Sequence, residues 1–135
     1  MKTKFYFISV LFMIFFHGRS SAQEALVDTI YVESVNFNVL TFFSVPCDKF
    51  AATFGKSIKF KTINNSDTSA IMKAFLKNVK YKKKNFNVDI RAKIIYQPVH
   101  DAVIEICTNG YEILVDGRLI RHNNKFASFL RILTM

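Results

Sequence analysis

Glycine and proline are scarce in this chain, with four Gly and two Pro in 135 residues. That scarcity leaves no room for a low-complexity tract and implies regular structure joined by short turns. The glycines are dispersed, so no glycine-rich loop is available to cradle a phosphate. There are only two cysteines, Cys47 and Cys107, and no Cys-x-x-Cys, which excludes a redox-active dithiol and a zinc knuckle. Of the three histidines, His17 lies near the amino end, and His100 and His122 have no neighbouring ligand at useful spacing. The sequence therefore indicates no metal and no cofactor. No paired carboxylates stand out for acid–base work, and no internal repeat is visible.

Only one long apolar run is present, and it lies at the amino end. Lys2 and Lys4 precede a predominantly apolar stretch from Phe5 to Phe16, followed by His17-Gly18-Arg19-Ser20-Ser21-Ala22. A basic head, a short apolar middle and a small-residue exit predict a secretory signal peptide over residues 1–22. As a helix the run would span about 18 Å, against roughly 30 Å of bilayer hydrocarbon. Ser20 and Ala22 suit the small pockets of a peptidase that cuts before Gln23. Residues 23–135 are then expected to form a single α+β domain, exported to the periplasm or secreted, with no transmembrane anchor. Without the leader the formal charge falls from +9 to +6, from 16 basic against 10 acidic residues. Such an excess favours acidic surfaces in general.

In an oxidising compartment Cys47 and Cys107, with 59 residues between them, are natural disulfide partners. Two small buried thiols are the competing reading.

The periodicities predict an antiparallel sheet of about five to six strands that ends in a meander, with two main helices packed mainly on one face. Val35, Phe37, Val39, Thr41 and Phe43 share one parity, while Ile30 and Val32 share the other. A strand over Asp28–Phe43 with a break near Glu33-Ser34 reconciles them. Pro46–Phe54 predicts one or two helical turns, stopped at Gly55, and Ser57–Ile63 a short strand with Ile58, Phe60 and Thr62 on one side. Ile71, Phe75 and Val79, with Met72 and Leu76, predict a helix over Asp67–Lys80 capped by Ser66 or Asp67. Phe86–Gln97 alternates apolar and polar residues as one strand. Asn109-Gly110 and Asp116-Gly117 predict two tight hairpins. Their registers place Ile106 opposite Ile113, Ile113 opposite Ile120, and Tyr111 opposite His122. Phe126, Phe129, Leu130 and Leu133 predict a closing helix capped by Asn123 or Asn124.

Cys47, His100 and Asp101 are the components of a thiol hydrolase. Adjacent His and Asp in a strand point to opposite faces, so Asp101 does not orient His100. No catalytic residue is therefore assigned. Asp89, Glu105 and Glu112 share a strand face with Arg91, Lys93 and Arg121, which predicts a salt-bridged sheet surface. Asn64-Asn65-Ser66 is a formal glycosylation sequon, meaningful only in a host that modifies exported proteins.

The one cluster that supports a functional expectation is basic. Lys73, Lys77, Lys80, Lys82, Lys83 and Lys84 fall within twelve residues, with Lys59 and Lys61 in the preceding strand. Such a cluster attracts a polyanion: a sulfated glycan, an acidic lipid surface or nucleic acid. Only Tyr81 can stack on a base and no arginine lies in the run, which disfavours sequence-specific reading of nucleic acid. The expectation is a small, non-enzymatic, exported binding module for an anionic partner. The alternative is an apolar-ligand carrier or enzyme, with a pocket between helices and sheet lined by Phe37, Phe75, Tyr96 or Phe129.

Overall fold

A computed structural model describes residues 26–135 of the protein; the leader segment lies outside the described residues. The elements in order are β1 (Thr29–Ser34), α1 (Phe50–Phe54), β2 (Lys59–Ile63), α2 (Ser66–Lys77), β3 (Ala92–Gln97), β4 (Ile104–Thr108), β5 (Ile113–Val115), β6 (Arg118–Leu119) and α3 (Asn124–Thr134). Single 3₁₀ turns, Cys47–Lys49 and Gly55–Ser57, flank α1. One six-stranded sheet has the order β2-β1-β3-β4-β5-β6, antiparallel throughout. This is the α+β architecture with a terminal meander that the periodicities predict.

The two long helices share one face of the sheet. Ile30, Val32, Ile94, Tyr96, Ile106, Ile113 and Val115 point from the strands into Met72 of α2 and Phe126, Leu130 and Leu133 of α3. Phe75 stacks on Phe126 at 4.8 Å and meets Phe129 at 5.6 Å, which locks the helices to each other. Side chains cap both helices: Asn65 accepts the Thr68 amide at 2.9 Å and Asn123 accepts the Phe126 amide at 3.0 Å. The first cap lies one residue before the predicted Ser66, and α2 ends at Lys77 rather than Lys80. Ile71, assigned to the core stripe, is exposed.

The other face has a second, smaller core. Val35, Phe50, Ile58, Val88, Ile90, Cys107 and Leu119 bury one another there, with Phe54 and Leu114 beside them. The α1 segment crosses this face, and the Cys47–Cys107 disulfide staples it down with a Cα–Cα distance of 6.0 Å. The exposed end of the face carries the expected pairing, with Lys93 2.8 Å from Glu105. Phe60 and Thr62 of the edge strand β2 are exposed, so this strand has no buried apolar side.

Three strand expectations are corrected. The strand from Asp28 stops at Ser34, and Val35–Phe43 is irregular, with Leu40, Phe42 and Phe43 in solvent. The strand expected over Phe86–Gln97 begins only at Ala92. Arg91 and Ala92 are both buried, so alternation slips one residue there. Val88 and Ile90 consequently enter one core, and Ile94 and Tyr96 the other. The Asn109-Gly110 hairpin is wider than predicted, since Ile106 pairs with Val115 and Thr108 with Ile113. Asn109 Oδ1 accepts the Tyr111 and Glu112 amides, and Thr108 Oγ1 donates to the Glu112 carbonyl, closing a four-residue loop. Asp116-Gly117 is the tight turn expected, with φ of 48° and 74° and Val115 opposite Arg118.

One interaction ties the irregular segments together. The buried Arg91 guanidinium forms a bidentate pair with Asp89, at 2.6 and 2.5 Å. It also donates to the Val39 carbonyl at 3.2 Å and to Thr41 Oγ1 at 3.1 Å. Asp89 Oδ1 in turn accepts the Val45 amide at 2.9 Å. The Arg91 and Asp89 side chains thus hold the Val39–Val45 loop where strand pairing has ended.

Candidate functional site

The basic run follows α2. Asn78 ends the helix and its side chain donates back to the Ala74 carbonyl at 3.0 Å. The chain then passes to the edge of the meander, where Tyr81 bridges Ile120. The Lys82 amide donates to the Leu119 carbonyl at 2.8 Å, and the Arg121 amide to the Lys80 carbonyl at 2.6 Å. Asn85 closes the segment, donating to the Gly117 carbonyl at 3.3 Å and accepting the Leu119 amide at 3.0 Å. Lys80–Asn85 is therefore held alongside Gly117–Arg121.

This pairing brings Arg118 and Arg121 to the lysines, which sequence reasoning missed. The two stretches are nearly forty residues apart, and tertiary pairing centred on Tyr81 and Ile120 unites them. Arg118 lies over the Tyr81 ring at 4.0 Å, a close cation–π contact. Backbone pairing thus brings Lys80, Lys82, Lys83, Lys84, Arg118 and Arg121 to one edge of the sheet, a basic strip of two adjacent stretches. Glu112 is the one acid within ion-pair reach of the strip among the described residues, 3.8 Å from Lys82.

Lys73 and Lys77 belong elsewhere. With Leu76, Tyr96, Pro98, Asp101 and Ile104 they border an open depression of about 270 Å³, and Lys73 pairs with Asp101 at 3.7 Å. The six lysines thus divide between two places: two border this depression and four line the sheet edge. Lys80, expected on the helix face, lies beyond the helix.

The other candidates change character. Cys47 is bonded to Cys107, so its sulfur is not a thiolate nucleophile, while His100 and Asp101 sit exposed in the β3–β4 loop. Cys47 Sγ is 3.3 Å from Glu105 Oε1, and Cys47, Glu105 and Cys107 lie together, but the two sulfurs are each other's partners. His122 bonds Asn124 rather than Tyr111, which instead lies 5.7 Å beneath Arg131. Among the described residues, the four proposed to line an apolar pocket do not line a single cavity. Phe37 borders a cleft at the sheet end, Tyr96 the depression beside Lys77, and Phe75 and Phe129 an open groove between the helices.

No family model, curated protein or solved structure matches this chain.

Two carboxylates near the sheet are held ionised, Asp89 by Arg91 and Asp28 by Tyr96. Tyr96 donates to Asp28 Oδ2 at 2.6 Å and the Val99 amide to Oδ1 at 2.9 Å. These bonds lower the Asp28 pKa against the opposing effect of burial. Burial and the neighbouring Asp28 push the Tyr96 phenol well above its ordinary value. None of these groups lies in the basic strip. The strip offers lysine point charges and two planar guanidinium groups.

Proposed function

We propose that the protein is an exported, non-enzymatic binding module that holds an anionic partner along the Lys80–Lys84 strip. The observation that carries this reading is the Tyr81–Ile120 bridge, which adds Arg118 and Arg121 to four lysines on a fixed backbone. A fixed strip loses less conformational freedom on binding than a loose basic tail does. The basic head and short apolar run of residues 1–22 support export, and a disulfide between Cys47 and Cys107 accords with an oxidising compartment. The shared chemistry of the partner is a row of closely spaced sulfate, phosphate or carboxylate groups.

The test is retention on a sulfated-polysaccharide column and on a polyphosphate column across a salt series. With Lys82 partly engaged by Glu112, affinity should fall with salt at a log–log slope on the order of 4. Lys80→Glu with Lys83→Glu and Arg118→Glu should abolish retention, whereas Lys73→Glu should leave most of it. Retention insensitive to salt, or intact in the triple variant, refutes the proposal.

A further inference from the structure

From Val35 to Cys47, thirteen residues carry no charged side chain. Three large apolar side chains in this stretch project into water: Leu40 is 94%, Phe42 107% and Phe43 65% exposed. The backbone beneath them is nonetheless fixed. The Val39 amide donates to the Asn36 carbonyl at 3.0 Å, Arg91 holds Val39 and Thr41 from inside, and Asp89 holds Val45. Thr41 Oγ1, the Val39 carbonyl and the Val45 amide are turned inward onto Arg91 and Asp89, while Leu40, Phe42 and Phe43 stand in solvent with the uncharged Asn36, Asn38 and Ser44. A soluble connector has no need of this arrangement, and exposed apolar groups on a built support mark an interaction surface.

The start of the same loop forms a wall of a cleft of about 380 Å³. Phe37 and Asn38 stand on one side, with Lys59, Tyr111 and Arg131 around the rest. Neither Lys59 nor Arg131 makes an ion pair among the described residues. Phe37 packs against Gly110, where an added Cβ would lie 3.2 Å from its ring, so loop and hairpin are in close contact. The start of the uncharged loop that carries the apolar prong therefore shares a cleft with two cations, Lys59 and Arg131, the latter over the Tyr111 ring.

We propose that this end of the molecule docks on an anionic phospholipid bilayer. Leu40, Phe42 and Phe43 enter the acyl region, and Lys59 and Arg131 meet the headgroup phosphates. Charge complementarity selects this occupant: apolar depth beside a plane of negative charge is what such a membrane offers. The surface is separate from the Lys80–Lys84 strip, and the inference does not depend on that reading.

The chain contains no tryptophan, so Phe42→Trp in the full-length protein gives a single local reporter. Mixed with phosphatidylcholine vesicles containing phosphatidylglycerol, the indole emission of this variant should shift to shorter wavelength and be quenched by brominated acyl chains. Pure phosphatidylcholine should give neither effect. Because the signal comes from position 42, it reads the loop rather than the apolar run Phe5–Phe16. Phe42→Ser, tested against a Leu40→Trp reporter, should weaken partitioning about tenfold or more. In the Phe42→Trp background, Lys59→Glu with Arg131→Glu should remove the preference for anionic vesicles, while Lys83→Glu should leave the emission shift unchanged. Indole emission that anionic vesicles do not alter overturns the proposal. So does a blue shift without lipid that grows with protein concentration, since a second copy would then cover the loop.

Discussion

Asp89→Ala should destabilise the protein by about 2–3 kcal/mol, and by more than Arg91→Met does. The asymmetry follows from where water reaches the pair. The Arg91 side chain is 7% exposed and that of Asp89 40%. Removing one partner of a fully buried ion pair costs about 3–5 kcal/mol, because the remaining charge is stranded. Water at the carboxylate screens this pair, so the lower value applies. Without Asp89 the guanidinium keeps the Ile90 and Val39 carbonyls, at 2.9 and 3.2 Å, but has no counter-charge, and the Val45 amide loses its acceptor. Arg91→Met leaves a carboxylate that solvent can hydrate, at a cost of about 1–2 kcal/mol. Urea unfolding followed by circular dichroism measures both, and Asp89→Ala should lower the midpoint by about 1–2 M. The pH dependence is a second readout. Burial raises the Asp89 pKa, but the bonds from Arg91 and Val45 and the Arg91 charge outweigh it and lower the net value. The folded pKa therefore lies below the unfolded one of about 3.9. The stability contributed is complete above that unfolded value and is lost as pH falls through the depressed folded one. The gap between parent and Asp89→Ala should be flat near neutrality and narrow in acid. The reasoning is wrong if Arg91→Met is the costlier change, or if the gap stays constant down to about pH 2.

Replacing Cys47 and Cys107 with Ala should cost roughly 4 kcal/mol by chain entropy for a separation of 60 residues, read from urea midpoints of the oxidised parent and the variant. A loss below about 1 kcal/mol would show that the bridge constrains little. Tyr96→Phe should cost about 1 kcal/mol. It should also return the Asp28 carboxyl toward its ordinary titration range, because the Tyr96 bond is the largest cause of its lowered pKa. Carbon-13 shifts of the Asp28 carboxyl against pH check this, and an unchanged titration would contradict the hydrogen-bond assignment.

Where chemistry is local, the sequence was readable. Asp116-Gly117 requires positive φ at both positions, few residues tolerate that, and the turn forms as expected. Asn109-Gly110 carries the same signal, yet the loop spans four residues because Thr108 and Asn109 side chains supply a competing set of bonds. The resulting shift of two residues preserves parity, so Ile106, Ile113 and Val115 still share the predicted face. Val35–Phe43 alternates well enough for a strand, but alternation cannot show that a partner is present. β1 and β3 part at Ser34 and Ala92, and Arg91 takes over the loop beyond. The face switch between Ile90 and Ala92 was equally invisible, since an inward arginine paired to Asp89 reads in sequence as an ordinary polar position. For the candidate site, the lysines were evident from their density. Arg118 and Arg121 were not, because only tertiary pairing brings them there.

The disulfide turns residues 47–107 into a closed covalent ring that contains α1, β2, α2, β3 and most of β4. The basic strip Lys80–Lys84 lies within this ring. A backbone break among those lysines opens the ring without releasing a fragment, and the nicked protein remains one molecule until Cys47–Cys107 is reduced. The lysine-rich segment is thus one where a trypsin-like cut leaves the two halves joined.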